Sequence, residues 1–385
     1  DRPVAVPRFS QMALWSAIAV VISGAVNAWA RLNFVDAWNS SYAFIVAGKI
    51  VATIVLVFIG YLHRKTLARK DSINWIGFAK LLTVEAAIMV VTVLMGTWLS
   101  TSASPVRPGV QEFNAAISIV GIPTPPPPTL SRILFSYEPN ALMIGILSLM
   151  VALYIKGVVV LTKRGDKWPV GRTVAFALGI AATNFATSGG LGLYAQFSFS
   201  YHMMSHMVLG MIAPIGLVLG APMTLALRTL PQGRNSEERG VRGSLLAALH
   251  SKIGVLYTNP IVALIIFDGS LFALYFTDLF AVLMQSHTGH LFMSLHFLAA
   301  GFLFFFIIIG VDPNPRRVHH LVQIVILFAA MSIHAFFSVA LMSTTTLIDG
   351  GFYASLQTPW LGDPLADQKL GGSIGWAMGE IPILI

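Results

Sequence analysis

The chain has 385 residues, of which 56% are hydrophobic and 10% are charged, and its mean hydropathy is +0.77. Soluble domains carry about 25% charged residues, so this composition excludes an ordinary soluble protein and predicts an all-α, polytopic transmembrane helix bundle in a lipid bilayer. The absence of cysteine excludes disulfides, thiolate metal ligands and cysteine nucleophiles. The net charge of +8 indicates cationic loops at a membrane surface rather than a nucleic-acid partner.

In chain order, the apolar stretches predict about ten membrane spans of roughly 20 residues each. They lie near Gln11–Ala30, Tyr42–Leu62, Gly77–Leu99, Asn140–Leu161, Thr173–Ala195, Tyr201–Thr229, Pro260–Met284, Thr288–Val311, Leu321–Thr344 and from Gly371 onwards. The chain starts at Asp1 rather than Met and stops inside an apolar run, so we expect a fragment of a longer protein.

Lysine and arginine are concentrated in every second connection between these spans. The basic connections include Arg64–Lys70, Lys163–Arg172 and Arg228–Lys252, and they alternate with connections that carry few basic residues. By the positive-inside rule the basic connections face the cytoplasm. Tyr201 then begins its span at the outer face.

A long outward connection, Thr101–Phe135, contains the run Pro125–Pro128, which is typical of a stiff, extended linker. We therefore divide the chain into a membrane region at 1–104, a Pro-rich outer linker at 105–128 and a second membrane domain at 129–385. A second long outer stretch, Thr345–Leu370, is placed to cover the outer ends of the spans or to dock a partner.

Six of the ten histidines fall within one depth range of three predicted spans, towards the outer face. They are His202 and His206 in the sixth span, His287, His290 and His296 in the eighth, and His334 in the ninth. The pair in the sixth span is four residues apart, so both imidazoles share one helix face. Polar groups at one membrane depth favour a functional site.

Helical geometry limits which of the six histidines can bind one ion together. At about 100° per residue, His287 and His296 point in opposite directions, so they cannot both ligate one ion on a regular helix. His290, Met293 and His296 span about 120° and can line one cavity.

Imidazole and thioether groups without thiolate fit copper best, because Cu(I) binds histidine and methionine and Cu(II) binds histidine. Zinc is an alternative, since Asp278 is near enough to supply a carboxylate. Haem held between histidines of two helices is another. A further alternative is that the histidines only form hydrogen bonds between neighbouring helices.

Charged residues inside predicted spans are costly and usually paired. Lys49 in the second span and Glu85 in the third form the plausible pair. Asp268 in the seventh span has no evident basic partner, which favours a protonated acid or a proton relay.

The stretch Tyr201–Pro222 resembles the signature span of CtaG-type cytochrome c oxidase assembly proteins, and the resemblance covers residues 129–385. The matching positions are His202, His206, Pro214, Gly220 and Pro222, then His290, His296 and Gly301, then His334, Asp367, Gln368, Gly371 and Gly372.

The first hundred residues resemble the end of CopD, a copper-resistance membrane protein. The matching positions are Arg8–Ser10, Ser23-Gly24, Gly48-Lys49, His63-Arg64 and Glu85. The two resemblances imply a CopD-like half fused to a CtaG-like half, as in some bacterial chains, and both halves point to copper.

The resemblance implies a copper-handling assembly factor in the bacterial plasma membrane, tied to the respiratory chain and to copper resistance. It would supply copper to a haem–copper cytochrome c oxidase from the outer side, with oxidase subunits as partners, and would not be an enzyme. The implied ligands are His202, His206, His290, His296 and His334, then Met203, Met207 and Met293 as weaker ones, with His287 and Asp278 as further candidates. The alternatives are a CopD-like copper importer, a haem-binding membrane electron carrier and a purely structural partner of the oxidase.

Overall fold

A computed structural model describes residues 15–16, 18, 20–29, 31–32, 35–68, 75–102, 105, 115–233, 240–315 and 318–384, without the side chains of 63–82, 100–101, 287 and 381–384. No β-strand occurs among these residues, so the predicted all-α fold is confirmed. The chain divides into two units, Asp1–Phe113 and Asn114–Ile385.

The first unit is a small helical assembly. It contains α1 (Val20–Trp29), a 3₁₀ turn (Val35–Asn39), α2 (Ser41–Ala68) and α3 (Trp75–Thr101). Helices α2 and α3 pack closely where glycines occur. A Cβ on Gly48 would come within 2.7 Å of the Met95 side chain, and one on Gly96 within 3.0 Å of the Lys49 ammonium nitrogen. The ammonium of Lys49 therefore lies beside Gly96 of α3. Gly96 is roughly three helical turns beyond Glu85, the residue predicted to pair with Lys49.

The second unit holds the remaining helices, several of them short. They are α4 (Ala115–Ile119), α5 (Leu130–Phe135), α6 (Ala141–Lys163), α7 (Val170–Thr187), α8 (Gly190–Tyr194), α9 (Phe199–Met207), α10 (Ala213–Leu219), α11 (Pro222–Thr229), α12 (Gly240–Leu249), α13 (Lys252–Tyr257), α14 (Pro260–Leu264), α15 (Ser270–Tyr275), α16 (Leu279–Met284), α17 (His287–Ile309), α18 (His320–Ser343), α19 (Phe352–Ser355) and α20 (Pro364–Leu384).

Five helical segments in the described part are long and apolar enough to cross a membrane. They are Ser41–Leu62, Ala141–Lys163, Phe199–Thr229, Thr288–Ile309 and His320–Ser343. Each overlaps a span predicted from the sequence, and shorter apolar helices lie within several of the other predicted spans. The chain is therefore a multi-pass membrane protein.

The sixth predicted span is not one regular helix. Between α9 and α10 lies a π turn, Val208–Ile212, in which the N–H of Ala213 donates to the carbonyl of Val208, five residues earlier. Pro214 follows directly and has no N–H to donate to Gly210, which accounts for irregular backbone at this point. The helix breaks again at Ala221, whose φ of 49° is left-handed.

The seventh predicted span, Pro260–Met284, is likewise discontinuous. It consists of α14, a π turn at Ile265–Gly269, α15 and α16, with a break around Phe276. Sequence periodicity cannot reveal such breaks, because every piece is apolar. The π turn carries Asp268, and α15 ends at Tyr275.

Helix α17 approaches the sixth span through a glycine. A Cβ on Gly301 would overlap the carbonyl oxygen of Gly210 in the π turn and would come within 2.8 Å of the Pro214 ring. Only a residue without a side chain allows this backbone contact. The contact holds α17 against the π turn and α10.

The last helix, α20, packs between α9 and α18 along a stripe of glycines. A Cβ on Gly371 would come within 2.6 Å of Phe199, and one on Gly375 within 3.5 Å of the sulfur of Met203. A Cβ on Gly379 would overlap the ring of His334. These small residues let the helices approach closely, as in other membrane bundles.

The Pro-rich run is packed within the second unit. The Tyr194 hydroxyl donates to the carbonyl of Pro126 at 2.8 Å, and the Trp360 indole N–H donates to that of Pro125 at 2.8 Å. The boundary between the two structural units lies at 113/114. It therefore precedes the Pro-rich run and also residue 129, the predicted start of the second domain. Proline carbonyls within such a run lack local N–H partners, and here the aromatic donors supply them.

We predict that Gly301→Ala lowers the free energy of unfolding by about 1–3 kcal/mol, since the added methyl overlaps backbone that cannot move aside. The control is Gly145→Ala in α6, where a Cβ meets nothing within 4 Å. That change should be neutral or stabilise by up to about 1 kcal/mol. Thermal unfolding of both variants in detergent measures the difference, and equal melting temperatures would contradict the proposed contact.

Candidate metal centre

Three histidines of the second unit meet at one point. His202 and His206 lie on α9, and His290 lies near the start of α17. Each offers a ring nitrogen that lies within 4.8 Å of the other two. The ring centroids of His202 and His206 are 3.9 Å apart, and those of His202 and His290 are 5.5 Å apart. The predicted pairing of the first two on one helix face is therefore observed.

Three ring nitrogens of His202 and His206 are buried without a hydrogen-bond partner among the described residues. His202 and His206 are 0% and 1% exposed. Among the described residues, neither ring nitrogen of His202 has a hydrogen-bond partner, and Nε2 of His206 has none either. Buried polar atoms are nearly always bonded in native proteins, so unsatisfied nitrogens that converge need a ligand. A metal cation is the ligand that several imidazoles can share.

The other nitrogen of His206 is held by a tyrosine that the sequence did not single out. Nδ1 of His206 lies 2.8 Å from the hydroxyl of Tyr275, at the end of α15. When Nδ1–H donates to this oxygen, the lone pair of Nε2 points into the histidine group, which is the tautomer a metal needs. A buried tyrosine in an apolar helix resembles any other core aromatic, so sequence alone carries no signal for this role.

Aromatic rings surround the histidine group. Phe280 of α16 lies 5.2 Å from the His202 ring, Phe297 of α17 lies 4.2 Å from the His206 ring, and Phe199 lies 6.2 Å from His202, measured between centroids. All three phenylalanines are buried. The surroundings of the group are therefore apolar, which strengthens electrostatic interactions within it.

The start of α9 is fixed by a carboxylate from the other end of the domain. Asp367 of α20 accepts hydrogen bonds from the backbone N–H groups of Phe199 and Ser200, at 2.7 and 3.3 Å, and from the hydroxyl of Ser198 at 3.0 Å. Free N–H groups and the helix dipole at an N-terminus favour such an anion. This contact sets the position of the helix that carries His202 and His206.

His334 lies in a different environment from the three histidines. Its Nδ1 is 3.4 Å from Oδ1 of Asp268, and both side chains are 1% exposed. The sequence offered no evident basic partner for Asp268, and the structure supplies His334. The π turn and the break of the seventh span decide this pairing, and neither was predicted.

The other predicted ligands whose side chains the structure describes lie outside the three-histidine group. His296 is half-buried, with its ring 5.7 Å from that of Phe297 and its Nε2 without a partner in the described region. Asp278 is exposed at the start of α16. The methionines are core residues: Met203, Met207 and Met293 are all buried in the main hydrophobic cluster. The side chain of His287 lies outside the described residues.

Comparison with known families gives a context for this geometry. Residues 152–385 match the family model of the cytochrome c oxidase caa3 assembly factor, Caa3_CtaG. The chain belongs to this family. Residues 3–99 match the model of Copper resistance protein D, CopD, so this Caa3_CtaG protein carries a CopD-type region ahead of its assembly-factor domain. All three histidines of the group lie within the Caa3_CtaG match.

The Caa3_CtaG chain also resembles several curated mycobacterial proteins. It is 42% identical over 274 residues to uncharacterised proteins of Mycobacterium bovis and Mycobacterium tuberculosis, and 41% identical to one of Mycobacterium leprae. The aligned region is 71% of this chain and 41% of each relative, so the chain spans less than half the length of these proteins. No solved structure matches.

We predict that Tyr275→Phe weakens metal binding by about 10- to 100-fold without changing the stoichiometry, because Nδ1 of His206 loses the oxygen that orients it. The matched control is Tyr194→Phe, since Tyr194 is also buried but donates to the carbonyl of Pro126 instead of a histidine. Isothermal titration of the purified variants with copper measures both affinities. Equal weakening in the two variants would argue against a positioning role for Tyr275.

Proposed function

We propose that this Caa3_CtaG protein binds copper at His202, His206 and His290 and supplies it to a haem–copper cytochrome c oxidase during assembly. One observation carries the proposal: buried, unsatisfied imidazole nitrogens converge within the domain that matches an oxidase assembly factor. The match to Copper resistance protein D supports copper as the metal. Oxidase subunits are the proposed partners.

The chemistry of the ligands favours copper among the metals. The three-histidine group supplies imidazole nitrogen only, without thiolate or carboxylate. Structural zinc sites close a tetrahedron with four ligands, whereas three ligands leave one side open for exchange with a partner. An incomplete set of this kind suits an ion that must be released again. We accordingly propose binding and transfer, with no substrate turned over.

The direction of delivery follows from the charge pattern. The group lies near the N-terminal ends of α9 and α17. The basic connections lie at the opposite ends of the predicted spans, and the positive-inside rule assigns these to the cytoplasm. We propose that the site opens towards the outer side of the bacterial plasma membrane and that the oxidase receives copper there.

Two other functions are less well supported. Haem held between histidines of two helices would use His290 with either His202 or His206, whose ring centroids lie 5.5 and 6.5 Å from that of His290. Such a pair would leave the third imidazole of the group without a role. A copper importer is favoured by the CopD-type region and by the intramembrane charge of Lys49. Copper uptake into proteoliposomes that is abolished by Lys49→Ala would support import over delivery.

We predict that the double change His202→Ala and His206→Ala removes copper from the purified protein, from about one ion per chain to background, because two of three ligands are lost. The oxidase in the same membranes should then be copper-poor while its polypeptides are still made. Mass spectrometry of metals and oxidase activity measure the two effects.

The control for this experiment is His250→Ala, because His250 is an exposed histidine outside the group. This variant should keep both the bound copper and the oxidase activity. A normal copper content of the oxidase in the double variant would overturn the proposed delivery. Normal assembly together with loss of bound copper would instead make the protein a structural partner.

A further inference from the structure

The three-histidine group contains no negative charge. Its ligand atoms are imidazole nitrogens, which are neutral when they bind a metal, and the rings around it belong to residues such as Phe280 and Phe297. The hydroxyl that reaches the group, from Tyr275, is used by Nδ1 of His206. An ion bound here keeps its full charge inside an apolar shell.

The buried carboxylates of the second unit are engaged elsewhere. Asp268 pairs with His334. Asp312 accepts from the backbone of Met223 and Thr224 at the start of α11, and Asp349 accepts from the backbone of Gly351 and Tyr353. Asp367, which is partly buried, caps α9. None of these four belongs to the three-histidine group, so none of them supplies a negatively charged ligand atom to it.

Ionic charge decides which metal such a shell accepts. The cost of moving an ion from water into a medium of low dielectric constant grows with the square of its charge, so a divalent ion costs about four times as much as a monovalent ion of equal size. In water, imidazole ligands bind Cu(II) more tightly than Zn(II). In this shell the cost of burying charge opposes both divalent ions more strongly than it opposes a monovalent one.

The number of ligands also favours a monovalent ion, Cu(I). Zn(II) takes four protein ligands in closed structural sites, and where three histidines hold it a water completes the tetrahedron. A three-coordinate site without water therefore suits Cu(I) better than Zn(II). Three nitrogens at bond lengths of about 2.0 Å around a trigonal ion lie about 3.5 Å apart. The ligand atoms here are within 4.8 Å of one another, so side-chain shifts of about 1 Å complete a three-coordinate site. Cu(I) is the copper ion that accepts this set with a single positive charge.

We propose that the group of His202, His206 and His290 is selective for Cu(I) over Cu(II) and Zn(II), and that the reduced ion is the form carried. This inference rests on the proposed function, because it assumes that the group binds copper. It adds the oxidation state and predicts discrimination against the divalent ions.

The test uses the full chain in lipid nanodiscs. Cu(I) is titrated without oxygen against a chromophoric Cu(I) chelator, and Cu(II) and Zn(II) are titrated separately. We expect one Cu(I) per chain, bound at least 100-fold more tightly than either divalent ion and lost in His202→Ala with His206→Ala. Electron paramagnetic resonance should show no Cu(II) signal from the loaded protein.

The possible results distinguish failure of the Cu(I) selectivity from failure of the proposed copper delivery. Binding of Cu(II) or Zn(II) through these histidines as tightly as Cu(I) would overturn the selectivity and leave copper delivery intact. Failure of all three ions to bind would overturn the proposed function itself. These titrations of the unaltered protein decide the matter even if a variant does not fold.

A pair of variants tests whether a negative charge beside His202 increases the affinity for a divalent ion. Phe280→Asp and Phe280→Asn place side chains of nearly the same size beside His202, and only the aspartate brings a negative charge. We expect the affinity for Zn(II) to be at least tenfold higher in Phe280→Asp than in Phe280→Asn, while the affinity for Cu(I) changes less. Equal Zn(II) affinities in the two variants would count against charge as the cause.

Discussion

The backbone contact between Gly301 and Gly210 is the constraint on which the histidine group depends. Pro214 interrupts the regular hydrogen bonding of the sixth span, and α17 packs directly on the resulting π turn. His290 lies about three turns before Gly301 on α17, and His202 and His206 lie one to two turns before Gly210. Any side chain between the two backbones would separate these histidines along with the helices.

Polar groups inside the second unit fall into two kinds. The carboxylates of Asp312, Asp349 and Asp367 bond to free N–H groups, so their charges are compensated by the backbone. Nitrogens of His202 and His206 are left unsatisfied within the described structure. Other buried atoms also lack a partner in the described residues, among them Oδ2 of Asp268 and Nε2 of His334. It is the convergence of His202 and His206 with a third histidine that marks the candidate ligand site.

Much of this architecture could be predicted from the sequence, because composition and run length identify membrane helices and an i, i+4 spacing puts His202 and His206 on one face. Family models confirm the CtaG-like and CopD-like resemblances. The choice of His290 among three histidines of α17 depends on how two helices pack, which periodicity does not encode. The partnership of His334 with Asp268 depends on a π turn inside an apolar run, where the sequence gives no signal. The complete ligand set stays a prediction.

The cap on α9 also determines when this helix can reach its final structure during synthesis of the chain. Asp367 follows Ser198 by 169 residues, so the ribosome completes the histidine helix long before it reaches the residue that caps it. Chains fold from the N-terminal end as they are synthesised, and α20, the last helix described, packs against α9 through Gly371 and Gly375. An unfinished chain therefore exposes an uncapped, uncovered histidine helix. The histidine group reaches its final form only after Asp367 and α20 have been synthesised, which links assembly of the candidate site to the last helix described.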